Sequence, residues 1–180
     1  MAVYTDVSAE DLTRFLSGYD IGELLSYKGI AEGVENSNFL VHTGTGNFIL
    51  TLYEKRVAED DLPFFLGLME HLAARGITCT QPVKNRDGGV LGKIAGRPAA
   101  IVTFLDGLWI RRPNPGHCGA VGEALARLHL AGADFKAKRT NALSIENWRP
   151  LYEHAKDRGD RVRQGLCAEI AKELAALEKS

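Results

Sequence analysis

Apolar residues recur at helical spacing in three stretches of the chain, with alternating or short apolar runs between them. Leu12, Phe15, Leu16 and Tyr19 share one face of a short helix that opens after Ser8. Ser8 and Asp11 stand at capping-box spacing, with Asp where Glu or Gln is favoured. Leu62, Phe65, Leu66, Met69 and Leu72 form the stripe of a second helix, predicted over residues 59–74. Its acidic start suits the positive end of the helix dipole, Pro63 is tolerated in the first turn, and Gly76 follows as a C-cap. Val121, Leu125, Leu128 and Leu130 carry a third helix, over residues 116–131.

Strands fill the intervals. Residues 27–30 and 38–42 are predicted as the arms of a first hairpin, with special turn geometry at Gly33. Gly44 and Gly46 mark a tight turn, and residues 47–53 alternate well enough for the next strand. Residues 81–84 and 90–94 flank a DGG turn, and PAAIVTFL at 98–105 is the most hydrophobic strand, ended by Asp106-Gly107. Local hairpins with one packed helix imply a small antiparallel α+β lobe rather than a doubly wound sheet. The character changes at the basic, proline-rich RRPNP, which puts a domain boundary near 107–115. Beyond it, Pro150 interrupts a region in which WRPLYEHAKDR and VRQGLCAEIAKELAALEK read as helical, the last helix running to Ser180.

Size and charge narrow the picture. A chain of 180 residues holds one good core, or a small domain plus part of a second. A net charge of -1 gives no global pull toward nucleic acid or anionic membrane. Cys79, Cys118 and Cys167 lie far apart and form no CxxC pair, which favours a reducing compartment. The start, MAVYTDVSAEDL, has no basic region followed by an apolar run, and no apolar stretch approaches the roughly 20 residues that span a bilayer. The reading is cytoplasmic, with neither nucleic acid nor membrane as a partner.

Neither GxxxxGK[ST] nor GxGxxG occurs, so two common phosphate sites are excluded. The segment from Gly33 through Asn36 and Ser37 to Asn38 is different, because successive backbone N–H groups in a turn can cradle an anion. An ordinary hairpin is its bland alternative. The histidines at 42, 71, 117, 129 and 154 have no HExxH spacing and no cysteine cluster, so no metal site is predicted. Lys28, Lys55, Arg56, Arg97, Arg111 and Arg112 are possible phosphate partners, although isolated basic residues are more often solvated surface.

Taken together, GVENSNFLV, FILTLYEKR, LPFFLGLMEHLAARGI, GRPAAIVTFLDG and VGEALARLH make a recognisable set. The chain resembles, over essentially all its length, the amino-terminal part of homoserine kinases of the aminoglycoside-phosphotransferase-like family. That resemblance implies a protein-kinase-like, two-lobed fold: a nucleotide-binding lobe over 1–107 and part of a helical lobe over 108–180. It implies ATP and magnesium as cofactors, L-homoserine as acceptor and a place in threonine biosynthesis. Gly33, Asn36, Ser37 and Asn38 would form the loop over the ATP phosphates, with a hydroxyl contact from Ser37. Thr103 to Gly107, with Leu105 between them, would be the hinge whose backbone meets the adenine edge.

The sequence departs from the family pattern in two ways. Relatives place an ATP-binding lysine where Thr51 stands, leaving Lys28 on the neighbouring strand or Lys55 farther along as candidate cations. Phe65 occupies the position of the usual partner carboxylate, with Asp61 and Glu70 as substitutes. The HxDxxxxN segment and the later metal-binding aspartate of the family are absent from these 180 residues, so no catalytic residue is predicted. The resemblance implies a kinase when full length and an inactive chain alone. The alternatives are phosphorylation of choline, ethanolamine or another small alcohol, and a noncatalytic nucleotide-binding or interaction module.

Overall fold

Ser8 opens helix α1 (Ala9–Leu16) as its spacing predicts: its hydroxyl accepts from the Asp11 backbone N–H at 3.1 Å and donates to the Asp11 carboxylate at 2.8 Å. The computed structural model describes residues 3–54, 57–141 and 143–178, which divide between two units, Met1–Ala137 and Lys138–Ser180. Leu12 and Leu16 are buried. Tyr19 lies beyond the helix end yet is also buried, its ring centroid 5.4 Å from that of Phe15.

In the first unit, β1 (Leu24–Gly29), β2 (Ser37–Thr43), β3 (Gly46–Leu52), β4 (Gly92–Ile94) and β5 (Arg97–Thr103) form one sheet. Their spatial order is β1-β2-β3-β5-β4, with every neighbour antiparallel. Register follows the hydrophobic alternation. Phe39 opposes Leu50, which opposes Ile101, and all three enter the main core with Val41, Leu52 and the α1 leucines. Cross-strand partners share a face. Lys28, Leu40, Ile49 and Val102 therefore lie in one row on the other side, and Asn38, Thr51 and Ala100 in the next. A 3-10 turn at Glu59–Asp61 leads into α2 (Leu62–Ala74), whose Leu62 and Leu66 pack with Ala100 and Tyr53 as a second core. The helix ends at Gly76, whose φ of +78° suits it to that role. Helix α3 (Pro115–Gly132) starts at an Asn114–His117 capping box.

Four expectations need correction, the last of them in the final helix. Residues 81–84 form no strand but a single bridge, Pro82 to Val102, flanked by Val83 N–H to Ile101 O at 2.8 Å and Thr103 N–H to Gln81 O at 2.9 Å. Proline has no N–H to extend a ladder. The strand predicted over 90–94 shortens to Gly92–Ile94, and a two-residue turn at Ala95 and Gly96, both with positive φ, sends the chain directly into β5. Pro150 does not interrupt the later region; it lies inside α4 (Ile145–Gly159).

In the second unit, α5 (Leu166–Leu177) follows a glycine N-cap, Gly165, rather than running from Val162. Arg149 pairs with Glu178 at 2.6 Å, and Trp148, Leu151, Tyr152, Ile170 and Leu174 line an apolar groove of about 390 Å³ between α4 and α5. No described helix is long and apolar enough to cross a membrane.

Candidate functional site

The loop from Ile30 to Asn36 joins β1 to β2 at the end of the sheet that carries Asn38 and Thr51. Ile30 N–H donates to Asn38 O at 2.8 Å and closes its base. Gly33 has a φ of +110°, a conformation that strains any other residue. A Cβ there would also stand 3.8 Å from Asn38 Nδ2, so the loop folds back close to that side chain. Residues 31–35 are exposed.

The predicted side chains divide between two jobs. Asn38 Oδ1 accepts from the Thr51 hydroxyl at 2.8 Å, so Thr51 is tied to the loop base. Asn36 Oδ1 lies 3.5 Å from the Glu54 backbone N–H. Ser37 turns the other way and is fully buried. Its hydroxyl accepts from the N–H groups of Tyr4 at 2.8 Å and Thr5 at 3.2 Å, and donates to Glu54 Oε1 at 2.7 Å. Three protein partners occupy it. Glu54 Oε2 in turn pairs with Arg97 Nε at 3.1 Å, so Arg97 is committed to a carboxylate rather than to a phosphate. This Ser37–Glu54–Arg97 chain escaped sequence reasoning.

Lys28 is exposed, on the same face as Asn38 and Thr51 and one row away from them. Lys55 lies outside the described residues. Thr103 closes β5, its hydroxyl accepting from the Gln81 N–H at 3.0 Å, and Phe104, Leu105 and Leu108 beyond it are exposed. The loop, the Asn38–Thr51 pair and Lys28 thus share one face, and the segment after Thr103 leaves the strand that completes that face.

Of the two substitute carboxylates, Glu70 is drawn elsewhere, pairing with Lys84 at 3.4 Å. Asp134 accepts from Arg75 Nη2 at 2.6 Å and lies 3.1 Å from His71 Nε2. The His71 ring packs edge-on to Phe135 with centroids 5.0 Å apart, joining the C-terminal ends of α2 and α3. His129 lines a groove along α2 with Phe64, Leu68 and Phe135. The Arg75 hydrogen bond holds the Asp134 carboxyl below the ordinary carboxylate range. A carboxyl depressed in the folded state contributes stability at neutral pH that is lost as pH falls through its folded value. Below about pH 4, the thermal midpoint of the wild type should therefore fall more steeply than that of Asp134→Asn. Parallel curves for the two proteins would remove the ion pair from the account.

Among the described residues no cluster of three or more His, Cys, Asp or Glu side chains is built to hold a metal.

Sheet lobe, loop and helical region together define the class: an α+β, protein-kinase-like phosphotransferase fold of the two-lobed type. The solved structures it resembles include a spectinomycin phosphotransferase in complex with ADP and spectinomycin, with a TM-score of 0.57 at 13% identity over 96% of this chain and 55% of that one. Another is an aminoglycoside phosphotransferase from Alicyclobacillus acidocaldarius, with a TM-score of 0.54 at 17% identity over 91% of this chain and 52% of that one. At those identities the likeness is one of fold. The family model described as the phosphotransferase enzyme family matches residues 26–180, and the chain belongs to that family. More particularly, it is 68% identical over 178 residues to a homoserine kinase of Afipia carboxidovorans, covering 99% of this chain and 55% of the relative. It is 66% identical over 174 residues to a homoserine kinase of Bradyrhizobium diazoefficiens, covering 97% and 53%. The chain spans about half the length of the curated relatives it matches.

Proposed function

We propose that these residues are the nucleotide-binding part of a homoserine kinase, which transfers the terminal phosphate of ATP to the side-chain hydroxyl of L-homoserine in the cytoplasm. The observation that carries this reading is the 68% identity to a homoserine kinase across nearly the whole chain. In the reaction the hydroxyl oxygen bonds to the γ-phosphorus, the bond to the β,γ-bridging oxygen breaks, and ADP leaves as the hydroxyl proton passes to a base. Phosphoryl transfer of this kind depends on positioning and on charge stabilisation more than on covalent chemistry.

In this reading the backbone of Gly33 to Asn38 lies over the phosphates, Lys28, two residues before the loop, supplies a cation, and Asn38 with Thr51 shapes the floor beneath it. The backbone from Thr103 through Leu105 to Gly107 meets the adenine edge, and the lobe boundary falls after residue 107. Magnesium enters as part of the substrate, magnesium–ATP. No described residue is assigned as its ligand or as the base, so the 180 residues alone bind nucleotide without turning it over.

The test begins with the intact mass of the native gene product, compared with 19.7 kDa for this chain. That product is then given magnesium–ATP with L-homoserine, choline or ethanolamine, and phosphorylated products are identified by mass spectrometry. Phosphohomoserine should dominate. Preferential turnover of choline or ethanolamine would overturn the acceptor, and a native mass of 19.7 kDa without turnover would leave a noncatalytic nucleotide-binding module.

A further inference from the structure

Residues 3–7 run along the α1 side of the sheet and are fastened to β1, to β2 and to the loop between them. Val7 is buried in the main core, and its carbonyl accepts from the Tyr27 hydroxyl at 2.8 Å. Val3 packs over Gly29, where an added Cβ would come within 2.7 Å of the valine side chain. Between these anchors the N–H groups of Tyr4 and Thr5 converge on the buried Ser37 hydroxyl, at 2.8 and 3.2 Å. The Tyr4 side chain then leaves this base and extends to the loop, its hydroxyl donating to Val34 O at 3.2 Å.

We propose that residues 3–7 are a strap that positions the 30–36 loop for nucleotide, with Tyr4 as the positioning residue. The inference rests on the nucleotide reading of the site. A peptide group is planar, so holding the Val34 carbonyl fixes the orientation of the whole Val34–Glu35 unit. The loop's pattern of amides is then set before a phosphate arrives, and less ordering cost falls on binding. Ser37 serves the same end from below: it pins the strap whose tyrosine holds the loop. The family expectation gave Ser37 a direct phosphate contact, whereas its buried hydroxyl acts here through Tyr4.

Tyr4→Phe isolates the point, because it keeps the ring and removes only the hydroxyl at an exposed position. Amide hydrogen exchange, thermal midpoint and magnesium–ATP titration are measured on the 180-residue chain. Exchange across residues 30–36 should accelerate about two- to tenfold, the range of one modest hydrogen bond. Exchange in β2 and β3 and the thermal midpoint should stay unchanged, and magnesium–ATP affinity should weaken by a similar factor. Unchanged loop exchange overturns the proposal, as does faster exchange with unaltered affinity. A wild-type chain that binds no magnesium–ATP counts against the nucleotide reading instead. The exchange result then decides whether the strap holds the loop: acceleration supports it, and no change overturns it.

Discussion

Given magnesium–ATP and L-homoserine, the 180-residue chain should form no phosphohomoserine above the uncatalysed rate, even at concentrations where it binds nucleotide. A group that takes the acceptor's proton contributes about 10²- to 10⁴-fold to such a rate. Positioned charges at the transferring phosphoryl contribute comparable factors. Apart from Lys28, which this reading gives to the nucleotide, several candidate side chains for these roles have other partners. Thr51 donates its hydroxyl to Asn38. Glu70 faces Lys84, Arg97 faces Glu54, and Asp134 is held by Arg75. His129 lies in a groove that runs along α2, among Phe64, Leu68 and Phe135. The sequence also lacks HxDxxxxN, the segment that the family resemblance leads one to expect. Removing base and charge together should cost a factor of about 10⁴ or more relative to the active enzyme. A coupled ADP-release assay with phosphohomoserine detected by mass would reveal it. Magnesium-dependent turnover by the isolated chain would sink the assignment of roles made here.

What could be read from sequence was periodic or local. The alternation in residues 47–53 marks a strand and the Ser8–Asp11 spacing a cap, because both depend on neighbours a few positions apart. The loop at Gly33 was legible for the same reason: a positive φ at a glycine between two strands is a local demand. Side-chain partnerships were not. Ser37 looks like a free polar residue beside a glycine turn until strand register sets it on the inner face with Glu54, and β5 brings Arg97 to the other carboxylate oxygen. Pro82 and Pro150 misled in opposite directions. The first limits pairing to one bridge although its neighbours have strand character, and the second is tolerated within a helix that starts five residues before it. The apolar positions of α3 were read correctly as helical, yet Val121, Leu125 and Leu130 are exposed, because periodicity reports a face and not what covers it.

Glu54→Ala should destabilise the first unit by about 2–4 kcal/mol, between the loss of a charged hydrogen bond and the breaking of a buried ion pair. The Glu54 side chain is only 8% exposed, and its two oxygens serve different elements: Oε1 takes the Ser37 hydroxyl at the start of β2, and Oε2 takes Arg97 at the start of β5. Truncation strands a buried hydroxyl donor and leaves a guanidinium, one-third exposed, without its carboxylate. The hydroxyl can reorient and the guanidinium can reach some water, which keeps the cost below that of a wholly buried pair. Glu54→Gln keeps the shape and one acceptor but turns an amide N–H₂ toward one partner, so about half the loss should remain. Urea unfolding reads both variants as a lower midpoint at an unchanged slope. A shift under about 0.5 kcal/mol for Glu54→Ala, the size of an ordinary surface change, would mean that the network is ornamental. A larger shift should carry a second signature. Ser37 would lose the partner that orients its hydroxyl toward the strap, so exchange in the 30–36 loop should rise in Glu54→Ala beyond what global destabilisation explains. Stability at this end of the sheet and order of the loop are consequences of the same carboxylate.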